Sequence, residues 1–559
     1  MTEPKDEAAQ VAQLSMDPPS SNSSTVVEVR DTEGIDTEWR PSRRLYIIFL
    51  SMCVITLAAA LDATSISVAL PIIAEKLHGT AIEAFWAGTS FLLCSTVLQP
   101  TFASFSSIFG RKSMIMVALV FFTVGSIVAA AANNFTVILV GRSIQGIGGG
   151  GMIALTEIIV TDIVPLRKRG QYFGFLSSMW ALGSVSGPIL GGGFSENVTW
   201  RWIMYINLPF CGIGLILIPL FLNLNQRVES VWVKLGRVDW LGAVLFVAST
   251  TAILIPISWG GVMYPWDHWR TLVPLILGFF GMGTFVAWEV YGAREPLITL
   301  RVFMNRTAAV SYFGTVMHGI ILWSVLYYLP LYFEAVKNMS PIMAGVSVFP
   351  ETFTVAPASI VVGIVVSITG RFRWAVWTGW TLTTTGMGLM YLLDVQTKTV
   401  AWIFLNLVGG LGTGMLFPSM AFAIQASASN EDTATAVAMF SFLRAFGQSF
   451  GVAIGGVIFQ NELLKQLGKY PGLKDVAGEY AKDAVALVQI IKAMPHTDPT
   501  RAALVQAYAD AVKMIWLAMV AFGAAGLVMS FGTKGLSLDR VLVSEQGLRE
   551  KKKQDGEKA

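Results

Sequence analysis

Three carboxyl groups sit inside long apolar runs of this chain, Asp62, Glu157 and Glu351, and a fourth, Glu334, stands near the end of another. A charge is costly there, so such an acid can take up or release a proton as its exposure changes. Arg142 and Arg444 also fall within apolar runs. Arg142 and Glu157 are separated by about 22 Å of helix rise and cannot pair directly. Arg142 can instead hold Asp62 in its charged form, relay its proton, or bond backbone carbonyls of the first run. Asp62 reads as a proton carrier or as a structural acid before a helix break at Pro71. Glu157 reads as a coupling acid or a structural one, Glu351 after Pro350 as a substrate or proton site, and Arg444 as structurally paired.

Other chemistries are excluded. No GxxxxGKS or GxxxxGKT occurs, and "GGLGTG" (409–414) lacks the lysine, so the energy source is an ion gradient rather than ATP. Gly146, Gly148 and Gly151 spell GxGxxG within "GRSIQGIGGGGMIALTEIIVTD" (141–162), but no strand pattern precedes them and the stretch is apolar. Wound as a helix, it gathers Arg142, Gln145, Gly146, Gly149, Thr156 and Glu157 on one face. Its glycines let a neighbouring helix or a ligand approach the backbone closely, and the face reads as the wall of a polar cavity. Cys53, Cys94 and Cys211 lie in apolar runs and form no disulfide or zinc framework. Trp86, Trp180, Trp323 and Tyr327 could stack on a hydrophobic cargo or serve as packing and interface aromatics.

These residues must be positioned by membrane helices. The chain of 559 residues is 54% hydrophobic and only 13% charged, about half the charge of a soluble domain. A net charge of +3, scattered along the chain, speaks against a nucleic-acid partner. Residues 1–44 are polar and lack a signal-peptide core, which predicts a disordered tail. Fourteen runs can cross a bilayer, at roughly 45–72, 84–107, 113–132, 137–161, 170–193, 202–222, 240–259, 271–290, 308–333, 341–367, 374–394, 399–423, 433–460 and 512–531. Lys and Arg divide 13 to 5 between alternate loops, counting Arg227, so the loops with Arg111, Arg167 and Arg371, and both termini, are expected in the cytoplasm. The loop 461–511 is then outside, with a helical look around 474–492. Asn197 is the sequon expected to carry glycan; Asn134 is too near the bilayer, and Asn22 and Asn305 fall inside.

The motifs follow a known order. "GRSIQGIGGGG" resembles the RxxQGxGxA/G motif on the fourth span of major facilitator superfamily transporters, and "LDATSISVALP" (61–71) the first-span signature of the 14-span drug/proton antiporters. "GRK" (110–112) is similar to the end of the GxxxDRxGRK loop motif, "GSVSGPILGGG" (183–193) to the antiporter motif of span 5, and "WRWIMYINLP" (200–209) to the start of span 6. "YYLPLYFEAVKNMSPIMAGVSVFP" and "FLRAFGQSFGVAIGG" resemble spans 9–10 and 13 of fungal members. The loop motif departs from its pattern: Ala103, Ser107 and Ile108 replace its Gly, Asp and Arg, leaving Arg111 to pair with Asp162 as a cytoplasmic gate or simply to mark that side. "TGRFR" (369–373) echoes "FGRK" (109–112), as two repeated halves would.

The resemblance implies an all-α major facilitator fold. An N-terminal six-helix bundle (45–222) is followed by two inserted spans with linkers (223–307), a C-terminal bundle (308–531) and a cytoplasmic tail (532–559). It implies a monomeric, non-enzymatic, cofactor-free and metal-free antiporter in the plasma or vacuolar membrane. The antiporter would export small hydrophobic compounds (toxins, secondary metabolites or drugs) against protons. Gly183, Gly187, Pro188 and Gly191 form its antiporter motif. Uptake, as in siderophore porters, and a non-transporting nutrient sensor are the alternatives.

Overall fold

The computed structural model describes residues 39–79, 81–225, 229–261, 263–481, 484–540, 542, 544 and 546–548. Asn22, Arg227 and most of the N-terminal tail lie outside the described residues. Residues 39–42 have no regular structure, and the long helices all belong to the unit Arg43–Ala559.

Among the described residues, the long helical segments follow the expected order. Spans 1–5 are Arg43–Lys76, Ala81–Phe109, Arg111–Ala130, Phe135–Ile163 and Leu166–Asn197. Span 6 is the pair Trp202–Tyr205 and Asn207–Phe221, span 7 is Trp240–Trp259, span 8 is Trp269–Tyr291 and span 9 is Arg306–Ala335. Span 10 is Pro341–Ser347 with Phe349–Thr369, and spans 11–14 are Arg373–Met390, Thr399–Ser427, Thr433–Leu467 and Pro499–Ser530. Among the described residues, thirteen are long and apolar enough to cross a membrane. Span 11 is not among them: at 18 residues it carries Arg373 and five threonines (Thr378, Thr381, Thr383, Thr384 and Thr385), which lower its hydropathy.

Local chemistry sets the helix starts. Asn134, Asn305, Ser340 and Asp498 each accept a backbone N–H of the first turn, and Pro341 and Pro499 occupy the first helical position. Two of the sequon asparagines, Asn134 and Asn305, are thus helix caps. The capped Pro499 also corrects the outer loop. Span 14 begins thirteen residues before the expected 512, span 13 runs on to Leu467, and helical turns fill much of the interval. Span 1 continues through Pro71 to Lys76, so Asp62 does not cap a helix break.

Spans 3 and 2 pack on span 4, and spans 5 and 6 on span 1; spans 10 and 11 pack on span 12, and spans 13 and 14 on span 9. The two sets meet where span 5 touches span 10 and where span 13 touches spans 2 and 4. Span 7 packs on span 8 and leans on spans 2 and 13. In span 8 only 17% of the core window is buried, against 83% in span 4, so span 8 is peripheral and span 4 central. The echo between the halves extends to the backbone: Gly110 and Gly370, in the corresponding loops, have φ of 94° and 67°. Those left-handed values favour glycine over any residue with a Cβ.

Candidate functional site

Asp62 of span 1 is fully buried and fully engaged. Its Oδ2 accepts from Arg142 Nη1 at 2.5 Å, and its Oδ1 accepts from Gln145 Nε2 at 2.7 Å and Asn207 Nδ2 at 2.8 Å. Gln145 Oε1 accepts from the same Arg142 Nη1 at 2.6 Å, and Gln145 Nε2 also donates to Ser126 Oγ at 2.8 Å. Arg142 Nε donates to the carbonyl of Ala87 at 3.1 Å, and its guanidinium lies 4.6 Å from the Phe91 ring centroid. The cluster therefore joins spans 1, 2, 3, 4 and 6. A buried ion pair offsets its desolvation best when hydrogen bonds satisfy its remaining donors and acceptors, and Gln145, Asn207 and Ala87 satisfy most of them here. Arg142 Nη2 and Asn207 Oδ1 remain without a partner.

Helical spacing explains half of this arrangement. Arg142 and Gln145 are three residues apart on one helix, so both reach the same acid. Asn207, Ser126 and Phe91 escape a sequence reading. The asparagine stands inside the stretch "WRWIMYINLP", where only its polarity in an apolar run marks it.

The glycines around Gln145 admit neighbouring helices, one of the two close approaches that their small size allows. A Cβ on Gly146 would come within 2.6 Å of Phe91 O, one on Gly148 within 2.3 Å of Phe122 N, and one on Gly150 within 2.2 Å of Ser95 O. Spans 2 and 3 thus touch the backbone of span 4. Gln145 is itself fully buried within the Asp62 cluster. The stripe Gly183, Gly187, Gly191 does the same for span 5 against span 1, meeting Ala60, Thr64 and Ser65 on either side of Asp62. Thr64 Oγ1 donates to Gly183 O at 2.9 Å. Pro188 lies inside the continuous helix Leu166–Asn197, its Cβ 3.9 Å from where a Gly345 Cβ would stand.

The other acids have different surroundings. Glu157 accepts a hydrogen bond from Ser441 and lies 3.5 Å from Arg444 Nη2, so it ties span 4 to span 13. The Arg444 guanidinium also lies 4.5 Å from the Phe417 ring centroid. Arg111 Nε donates to Asp162 Oδ2 at 3.0 Å and its Nη1 to Ser106 Oγ at 2.8 Å. Asp162 thus supplies the acid that the loop motif lacks. Glu334 binds Lys492 at 2.8 Å and so pins the segment before span 14 to the end of span 9.

Glu351 has no such partner. It is fully buried, and neither carboxylate oxygen has a hydrogen-bonding partner. The backbone amide it faces, that of Gly410, belongs to the helix Thr399–Ser427 and its internal ladder. Of the aromatic candidates, Trp86 meets Trp259 of span 7 edge-on at 6.1 Å and Tyr327 meets Tyr328 at 4.9 Å, while Trp180 and Trp323 are half-buried. Asn197 is exposed at the end of span 5.

The sequence model of the Major Facilitator Superfamily matches residues 52–452. The chain belongs to that superfamily. It is 57% identical over 522 residues to "MFS transporter L2" of Phoma sp., covering 93% of this chain and 87% of that one. With "MFS-type efflux pump LUC4" of a Fusarium species it shares 39% identity over 514 residues, 91% of each chain. The proton:xylose symporter XylE has the same fold: TM-score 0.54 at 14% identity, covering 82% of this chain and 97% of that one. The chain is accordingly a multi-pass membrane transporter of the efflux-pump kind and not an enzyme.

Proposed function

We propose that the protein exports small hydrophobic organic compounds, such as toxins, secondary metabolites or drugs, in exchange for protons. Its relatives named efflux pumps favour this direction. The observation that carries the coupling is the pairing of Asp62 with Arg142 and Gln145, because it fastens a titratable acid to the helices that must rearrange. In the conformation described, the halves are joined at the arginine-rich face. Arg167 donates to Ser367 O and Ile368 O, both at 2.8 Å, Arg169 Nη1 to Gln425 Oε1 at 3.0 Å, and Glu157 holds Arg444. That face is cytoplasmic on the charge bias, so substrate leaves from this state and protons enter it.

Glu351 is the second proton site in this reading. Its carboxylate is fully buried in the C-terminal half and lies outside the Asp62 network, with no side-chain partner among the described residues. Arg111, Asp162 and Glu157 are the inner gate, and the half-buried Trp86, Trp180 and Trp323 contribute the walls of the substrate path. The pump is a monomer in the plasma membrane with Asn197 glycosylated outside.

The direct test is substrate accumulation in inside-out vesicles under an imposed pH gradient. Wild-type vesicles accumulate compound only while the gradient lasts; accumulation that ignores the gradient overturns proton coupling. Glu351→Gln should lower the pH dependence without abolishing binding, and an unchanged pH profile would remove Glu351 from the mechanism. Orientation has its own check. A tag at residue 480 should be reachable only from outside and tags at either end only from inside; an external signal from a terminal tag refutes the orientation.

A further inference from the structure

Beyond span 14, the described residues as far as Leu548 stay against the helix ends. Along the arginine-rich face, Lys534 N donates to Thr307 Oγ1 at 3.1 Å at the start of span 9. Leu538 is buried. Arg540 donates to Ala428 O at 2.8 Å and Ala426 O at 2.5 Å, capping span 12 at the end where its carbonyls lack helical partners. Those anchors lie on the C-terminal half. Asp539 then pairs with Arg167 of span 5 at 2.7 Å, and Ser544 Oγ donates to Asp162 Oδ1 of span 4 at 2.8 Å. Gln546 Oε1 accepts from Arg111 N at 2.9 Å, and its Nε2 donates to Ser106 O and Ser107 O, each at 3.3 Å. Gly547 O accepts from Asn225 N at 2.9 Å, and Leu548 bridges Leu224 after span 6. Those anchors lie on the N-terminal half.

We propose that the described residues between Lys534 and Leu548 are a latch that holds the two halves together at this face and must let go of the N-terminal half for the transporter to open there. The inference rests on the alternating-access reading, and chain reach carries it. Arg540 and Ser544 are four residues apart, and four residues span at most about 14 Å. The slack is too small for both sets of anchors to hold while the helix ends separate. The anchors on the N-terminal half are the ones to release, since they are only hydrogen bonds and one ion pair, to Arg167, Asp162, Arg111, Ser106, Ser107 and Asn225, whereas the C-terminal half is joined covalently through span 14. The latch also touches the Arg111–Asp162 pair directly, so its release and the loosening of that gate are one event.

The experiment uses the whole chain in lipid nanodiscs, without substrate. The three native cysteines are replaced, and spin labels are placed at Ser107→Cys and Glu431→Cys, both exposed and one on each half. The intact latch should give one short distance population. Ser544→Glu with Gln546→Ala sets a like charge against Asp162 and removes the cap on spans 2 and 3; a longer population should then become the major one. Ending the chain after Leu538 should do the same, and the point variants keep the test alive if that shortened chain fails to fold. A distribution unchanged in the Ser544→Glu/Gln546→Ala protein overturns the latch. Because the readout needs no transport, a protein that moves no substrate but still opens refutes the export reading and leaves the latch standing.

Discussion

Vesicles carrying Asp62→Asn are expected to lose pH-driven accumulation entirely, and the protein to lose stability with it. The amide is a poor substitute at this position. Three donors from Arg142, Gln145 and Asn207 converge on the carboxylate; an asparagine offers one acceptor oxygen and turns an NH2 group toward the remaining donors. Arg142 is left as a buried charge without its counter-ion, a loss of about 3–5 kcal/mol. Lost activity alone therefore does not separate a proton carrier from a structural pair. The double variant Asp62→Asn/Arg142→Gln does, since removing both charges of a buried pair is often close to neutral for stability. If Asp62 carries the proton, the double variant should melt near the wild type, bind substrate, and show no pH-driven accumulation. Retained accumulation with the wild-type pH profile would make the cluster structural and leave Glu351 as the coupling acid.

How far the sequence could be read follows from the kind of signal each feature gives. Spans are composition and length, so their order and most of their bounds were legible; span 11, rich in threonine, the extension of span 13 to Leu467 and the early start of span 14 at Pro499 are the main departures. Acids and arginines in apolar runs stand out, so Asp62, Arg142, Glu157 and Glu351 could be named without coordinates. Their partners could not. Asn207 lies 145 residues from Asp62, and Ser441 lies 284 from Glu157, and nothing in a helical pattern chooses among the polar residues of another helix. The glycines of span 4 left two readings open for a related reason: small residues look alike whether they admit a ligand or a neighbouring backbone, and Ser95 O and Phe122 N show the backbone at Gly150 and Gly148. The latch was invisible. The stretch "RVLVSEQGL" (540–548) has neither the length nor the periodicity of an element, and its described residues are held by groups on four helices, spans 2, 3, 4 and 12, and on the segment after span 6.

Gly187→Leu should leave the protein in the membrane but stop transport, because span 1 has no room for the side chain. Even a Cβ there would come within 2.0 Å of Thr64 Oγ1 and 3.1 Å of Ser65 N. The hydroxyl can rotate away, at the loss of its bonds to Ala60 O and Gly183 O; the backbone of Ser65 cannot. Overpacking of this kind costs about 1–3 kcal/mol in a well-packed interior, which a membrane helix bundle can survive. The displacement falls on residues 60–65 of span 1, and Asp62 lies among them, so its three bonds are strained together. Gly187→Ala grades the effect and Thr64→Ala tests its cause. The alanine at 187 should lower export several-fold, and removing Thr64 Oγ1 in the same chain should restore part of it, because the nearest collision is with that atom. Additive losses in the double variant would mean that the stripe does not act through Thr64. Full export by Gly187→Leu would go further and remove close packing of spans 1 and 5 from the mechanism.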